Sequence, residues 1–472
     1  MRFTIRRSMF ITSVASLIVL TLLPTLSVAA SFPVEVQLWA KRYEGSGRAD
    51  DGAAAVAADP GGDRVFVTGW SIGVSTGYDY ATIAYDSASG ASLWTKRLDG
   101  PGHLNDQPSA IAVSPDGSTV YVTGWARRTQ SDFDYTTIAY DAATGTRRWL
   151  HRYDGPAGSE DMARALVVSP DGSAVYVTGW SDRGGFNVDY TTIAYDASTG
   201  AQRWVSRYNG PGDASDFANA IGVTPDGSRV FVTGSSDGGS SLSDFATVSY
   251  GAAGGAQRWV RRYDGPGDFF DDAAALSVSP DGSRVFVTGN STGVTDLFDF
   301  ATIAYDAASG AQVWLKSYQG PGQSLDLPAS VEASPDGTKV FVTGTSEGAT
   351  TLGDFFTIAY EASSGVPLWA KRYDAPGASS DGANAMTVRP DGALVFVTGG
   401  SSSGDSDYAT VAYATSNGHQ VWVKRYDSKG ADDDSASAIA VSADGLTVFV
   451  TGSSIGSGIS DGDFATVAYV AG

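Results

Sequence analysis

A tryptophan returns every 55 residues along this chain, at Trp39, Trp94, Trp149, Trp204, Trp259, Trp314 and Trp369, and Trp422 follows after 53. A period of that length marks one supersecondary unit written eight times, either stacked in an array or arranged in a ring. The second copy shows what the unit is. Residues 109–114 read as a short strand, and Pro115-Asp116-Gly117 turns the chain, with proline presetting φ and glycine taking the positive φ. Residues 120–124 (Val-Tyr-Val-Thr-Gly) predict a second strand, followed by a loop of about ten residues. Residues 135–140, rich in β-branched and aromatic side chains, predict a third strand. Asp141 to Gly145 make another tight turn, and residues 147–153 predict a fourth strand carrying Trp149. No stretch of the unit is long enough, or periodic enough at 3.6 residues, for a helix.

Four short antiparallel strands repeated eight times predict an all-β, eight-bladed β-propeller. The strands grade as such a ring requires. The first is crowded with alanine (Ala53, Ala54, Ala55), which suits the narrow space near an axis. The second is apolar on both faces (Val65-Phe66-Val67), which suits a strand between neighbouring blades. The fourth carries basic pairs such as Lys41-Arg42 and Lys96-Arg97, expected to discourage pairing of an outer edge with other molecules. Residues 34–42 read as a fourth strand with no blade before it, and residues 465–469 as a third strand with no fourth after it. The N-terminal strand is therefore expected to complete the last blade, and residues 31–472 to form one domain.

Residues 1–30 read as an export signal. Arg2, Arg6 and Arg7 precede an apolar run, and Val28-Ala29-Ala30 offers small residues before Ser31; the alternative is a retained membrane anchor. No other stretch approaches the ~20 apolar residues that span a bilayer. Loss of the three arginines with the signal would take the net charge from −21 to −24. Such a chain repels nucleic acid, whose binding depends on neutralising phosphates. It contains no cysteine, so its core and sheets must hold it without disulfides. The expectation is an exported monomer, periplasmic or extracellular.

The run from Ala139-Tyr140-Asp141 to Trp149 resembles the tryptophan-docking motif of quinoprotein (PQQ-type) β-propellers, as do residues 194–204 and 304–314. Residues 110–124 and 275–289 are similar to the bacterial propeller repeats called SBBP repeats. Together these likenesses span residues 34–469. The resemblance implies a tryptophan packed between adjacent blades. Quinone-dependent alcohol dehydrogenases of that family hold their cofactor under a disulfide of adjacent cysteines; this chain has none, and no positions match the family's calcium ligands or catalytic acid. PQQ is therefore not expected.

Two aspartates recur in all eight copies. One set is Asp51, Asp106, Asp161, Asp216, Asp271, Asp326, Asp381 and Asp434; the other is Asp79, Asp134, Asp189, Asp244, Asp299, Asp354, Asp407 and Asp463. Alternating strand directions place both sets on one face. A residue needed in every blade usually serves the blade, here by accepting backbone N–H groups in glycine-rich loops. The alternative is a hard cation such as Ca²⁺, which takes several oxygen ligands. The densest acids are Asp268, Asp271 and Asp272 in one stretch and Asp432, Asp433 and Asp434 in another.

Binding is expected where the copies differ. Only the first three follow Thr-Gly with tryptophan, at Trp70, Trp125 and Trp180; the others have Ser235, Asn290, Thr345, Gly400 and Ser453. Three such rings on adjacent blades could form an aromatic strip, or could fill space between blades. Arg127, Arg128 and Arg183 belong to the same loops, and Phe269-Phe270 lies near the same face. His103, His151 and His419 fall in three different elements without metal-ligand spacing. The reading is a binding or scaffold module for a protein or polysaccharide partner. The alternatives are an oxidoreductase- or hydrolase-type propeller enzyme and a calcium-stabilised envelope component.

Overall fold

The computed structural model describes residues 36–47, 50–185, 187–239, 242–267, 269–293, 297–322, 325–376, 380–402, 406–428, 433–455 and 462–472. The expected export signal, residues 1–30, lies outside them. The described residues form 32 strands in eight four-stranded antiparallel sheets, with no helix among them. Blade 1 is built from Asp51–Ala58, Arg64–Ile72, Tyr78–Asp86 and Ser92–Leu98, and blades 2 to 7 repeat that order. Blade 8 joins Asp434–Val441, Thr447–Ile455 and Gly462–Val470 to the strand Gln37–Tyr43, with Trp39 opposite Ala468 and Tyr43 opposite Phe464. The first strands contact one another in sequence around the axis, and Asp434–Val441 meets Asp51–Ala58, so the eight blades close into a ring.

The core lies in the seams between blades. Val65, Phe66 and Val67 of the second strand are fully buried, as their two-faced apolar character requires. The threonine of each Val-Thr-Gly bonds a threonine of the third strand, Thr68 to Thr82 at 3.1 Å in blade 1 and Thr123 to Thr137 at 2.9 Å in blade 2, so these buried hydroxyls are satisfied. Every first strand carries a β-bulge, at Ala54, Ser109, Arg164 and Asn219 in blades 1 to 4. The extra residue turns its side chain out of the ladder at the inner ring.

The repeating tryptophan joins each blade to the next. Trp94 Nε1 donates to Ala142 O at 3.0 Å, Trp149 Nε1 to Ala197 O at 2.9 Å and Trp204 Nε1 to Ala252 O at 2.8 Å. In every case the acceptor is in the turn after the following blade's third strand, or at the matching place in the chain. Trp422 closes the series on Ala471 O at 3.1 Å. The indole lies on the glycine of that turn. Gly145 has φ +66, and a Cβ there would sit 2.6 Å from Trp94 Cδ2. Asp-x-x-x-Gly and Trp are thus two halves of one contact: glycine supplies both the left-handed backbone and the flat surface on which the ring rests.

Two expectations are corrected. The ten-residue loop of blade 2 is instead a hairpin: its second strand runs Thr119–Thr129, its third Asp132–Asp141, and Arg127 pairs with Phe133. Arg127 and Arg128 therefore stand at a strand end rather than in a loop. The fourth-strand arginines are not edge guards. Arg97 Nη2 reaches Asp79 Oδ2 at 2.8 Å and Ser71 O at 2.8 Å, and Arg262 and Arg425 bind Asp244 and Asp407 in the same way. Each guanidinium turns back over its own blade because a buried carboxylate and a free carbonyl there need a donor.

Replacing Trp204 with alanine should remove about 3–5 kcal/mol and leave Ala252 O without its donor. Urea unfolding of the variant would show this as an earlier midpoint, whereas an unchanged midpoint would refute the role given to the seam.

Candidate functional site

The acid-rich end of the ring carries the features that differ from blade to blade. Its scaffold is the first aspartate set. Asp51 accepts Gly45 N at 2.5 Å and Ile72 N at 3.0 Å; Asp271 accepts Gly265 N at 2.6 Å and Thr292 N at 3.0 Å; Asp434 accepts Ser428 N and Ile455 N, both at 2.9 Å. Each carboxylate ties the loop entering its blade to the end of the second strand.

The acid runs seen in the sequence do not gather as runs. Asp268 and Asp432 lie outside the described residues. Asp272 accepts Ser243 Oγ at 2.9 Å, and Asp433 accepts Ser406 N at 3.2 Å. The acids that do converge come from three separate stretches. Asp79, Asp99 and Asp106 bring carboxylate oxygens within 4.8 Å of one another, as do Asp244, Asp264 and Asp271, and Asp354, Asp374 and Asp381; Asp407, Asp427 and Asp434 form a fourth such group. A fifth group, Asp132, Asp134 and Asp154, contains Arg128, whose Nε lies 2.7 Å from Asp132 and Nη2 3.0 Å from Asp154. Arg183 likewise spans Asp189 at 3.6 Å and Asp213 at 2.5 Å. Arg128 and Arg183 are therefore bound into loop acids.

Burial governs the titration of these acids. It pushes Asp106 up to about 6, aided by Asp79 and Asp99, and Asp134 up to about 6, aided by Asp132. Burial, with Asp134 and Asp154 adding to it, pushes Asp161 up to about 7. His103 pairs through Nδ1 with Asp99 at 2.5 Å, which raises it. His151 packs on Tyr195 with its rings 4.9 Å apart, and burial lowers it.

The three extra tryptophans do not share one environment. Trp70 and Trp125 are half-buried, each edge-on to an aromatic of its own blade, Tyr78 at 4.6 Å and Phe133 at 5.0 Å. Trp180 is buried, packed at 5.2 Å on Phe217 of the next blade. The two partly open rings line a cavity of about 530 Å³ with Gln107, Ser109, Arg164 and Asn219. Three of these, Ser109, Arg164 and Asn219, are bulge residues of the inner ring, so the cavity opens on the axis. Arg127 lies over Phe133 at 4.3 Å and stabilises the hairpin under Trp125. Phe269 and Phe270 are exposed, edge-on at 4.9 Å.

Arg164 escaped the sequence reading. Its guanidinium lies 4.8 Å over the Trp180 ring, and surrounding protein lowers its pKa although the side chain meets the cavity. No described carboxylate lies within ion-pair distance of it. Ser109 and Asn219, the bulge residues on either side, instead donate to Ala163 O and Ala273 O of the following blades, both at 2.9 Å. The signal available in the sequence was a long cation standing where other copies have Ala, Ser or Asn.

A sequence profile described as outer membrane protein assembly factor BamB matches residues 37–321 and 299–465. The chain belongs to this family of PQQ-like β-propellers. No curated protein matches it in sequence. Among solved structures, the PQQ-like ring is similar to BamB from Moraxella catarrhalis (15% identity, TM-score 0.52, covering 93% of this chain and 100% of that one). It is also similar to quinohemoprotein alcohol dehydrogenase from Comamonas testosteroni (14%, TM-score 0.58, 93% and 76%). Sqt1 from Chaetomium thermophilum shares the fold as well (11%, TM-score 0.59, 91% and 98%). At these identities the likeness is one of fold. Among the described residues, no helix is long and apolar enough to cross a membrane.

The raised acids give this propeller a definite pH dependence. Their ordinary value is 3.8, and in the fold Asp106, Asp134 and Asp161 titrate near 6 to 7. Between those values the folded state binds more protons than the unfolded chain, so stability is full at about pH 4 and falls as the pH rises to about 7. Melting in chelator at high salt, which screens surface repulsion but not buried groups, should show a falling midpoint over that window. A midpoint that climbs instead would refute the assignment.

Proposed function

We propose that this chain is an exported binding or scaffold module that holds a protein or polysaccharide partner at the axial mouth, through an anionic group of that partner. One observation carries this reading. Among the described residues Arg164 has no acid partner, in a chain of net charge −21, and it lies at a cavity walled by Trp70 and Trp125. A guanidinium stacked on an indole yet exposed at the mouth presents fixed, paired donors that suit an anion. The flanking indoles offer flat apolar faces for a sugar ring or an aromatic side chain, and Gln107 and Ser109 offer polar contacts beside them. The surrounding acids would turn away anions that lack this fit, which gives selectivity.

The family supports a partner-binding role, since the profile that matches is described as an assembly factor, a protein that acts on others. Residues 1–30, with their basic start and apolar run, support export. Trp180 takes no part in contact, being buried beneath Arg164.

Titration with polygalacturonate, with neutral dextran as control, and capture of partners from an envelope extract on immobilised protein test this reading. W70A/W125A and R164Q should each weaken retention of the bound species at least tenfold, with circular dichroism unchanged. Retention at full strength by the combined variant would overturn the assignment of the mouth.

A further inference from the structure

The loops between blades pose a separate question, independent of the mouth. Each runs eight residues, from the end of one blade's fourth strand to the aspartate that opens the next blade. Its first position is Glu44, Asp99, Asp154, Asn209, Asp264, Gln319, Asp374 or Asp427. The converging acids occur at the five junctions where that position is aspartate.

At the first junction, Asp79 is 4% exposed. Its Oδ2 is held by Arg97 at 2.8 Å and by Thr76 Oγ1 at 3.0 Å, while its Oδ1 is buried with no partner. Asp99 Oδ1 is likewise buried and unpartnered, its other oxygen facing His103. Asp106 accepts Gly100 N and Arg127 N. Three carboxylates against the Arg97 guanidinium and the His103 ring leave a negative charge uncompensated beside the buried Asp79 and Asp106. An orphaned buried carboxylate oxygen costs stability unless a cation or proton meets it. The pattern is systematic: the corresponding oxygens of Asp134, Asp244 and Asp354 are also buried without partners, and Asp354 is fully buried.

The neighbouring junction shows what the arrangement accepts. There the chain supplies a cation of its own, and Arg128 bridges Asp132 and Asp154 beside the buried, unbonded Asp134. No arginine stands at the matching place of the first or the sixth blade. We infer that the junction acids Asp79, Asp99 and Asp106 bind a divalent cation of the Ca²⁺ class, that Asp354, Asp374 and Asp381 bind a second, and that Arg128 is the built-in substitute for one at the junction between them in kind. Hard oxygen donors from several loops, with waters completing the shell, suit Ca²⁺ better than metals that prefer nitrogen or sulfur. The ion ties the second-to-third hairpin of one blade to the first strand of the next.

Calcium counting on the full-length purified protein tests this. The protein is stripped with chelator, dialysed, and titrated with CaCl₂ alone, with bound ion measured by equilibrium dialysis. Asp99→Asn and Asp374→Asn each place at the junction an amide like Asn209 of the third, so the ring should still form. Each should remove one bound Ca²⁺ per chain and shrink the Ca²⁺-dependent rise of the melting midpoint. R128Q should add one, by freeing Asp132, Asp134 and Asp154. Failure of the wild-type protein to bind Ca²⁺ at millimolar concentration, or a count unchanged in both D99N and D374N, would overturn the inference.

Discussion

The ring depends on one contact made at seven of its eight seams: an indole laid flat on the next blade's turn glycine, with its N–H donated to a carbonyl of that turn; at the eighth, Trp422 donates to Ala471 O. A propeller blade has no core of its own. Its two faces are apolar, and they are covered only by its neighbours. The tryptophan fixes the distance and tilt at which that covering occurs, because the ring cannot approach a residue with a Cβ, and its N–H must find an acceptor once buried. Val65, Phe66 and Val67, and their counterparts, then pack into a seam whose spacing is already set. The 55-residue period is the sequence trace of this geometry, and any insertion within a blade must stay in its loops.

At the acid-rich end the forces are opposed rather than concordant. Aspartates are needed there to hold loop N–H groups, and holding them buries charge. The fold answers with arginines folded back from the fourth strands, and at two junctions with Arg128 or Arg183 reaching across from a hairpin. Where neither reaches every oxygen, acids stay titratable near neutral pH, as at Asp106 and Asp161. Stability and sensitivity to solution conditions therefore meet in the same loops, while the opposite end carries the Pro-Asp-Gly turns of blades 2 to 7.

Much of this architecture could be read from the residues. The period, the two turn signatures and the two-faced apolar second strand together defined eight four-stranded blades and the clasp between the chain's two ends. What could not be read depends on direction within a strand. Trp70, Trp125 and Trp180 are identical in spacing, yet Trp180 is buried against Phe217 of the next blade, whereas Trp125 lines the cavity it shares with Trp70 and Arg164. Arg164 itself is invisible to an alternating pattern, since a bulge, not the pleat, turns it toward the axis. The acid runs misled for a related reason: neighbours in sequence such as Asp271 and Asp272 point apart on a strand, and the acids that meet, such as Asp79, Asp99 and Asp106, are brought together from three elements.

The strand Gln37–Tyr43 lies beside Gly462–Val470, more than 400 residues away along the chain. Until the final blade is made, Trp39 has neither Phe449 to pack on nor an adjacent strand to pair with. The earliest segment of the ring thus keeps its strand edge unpaired through the synthesis of everything between, with Trp39 held only by Tyr85 and Ser87 of the first blade. Long-range pairing of this kind is slow and open to wrong encounters, so the last step of assembly is also the moment at which the molecule is most exposed to capture by other chains.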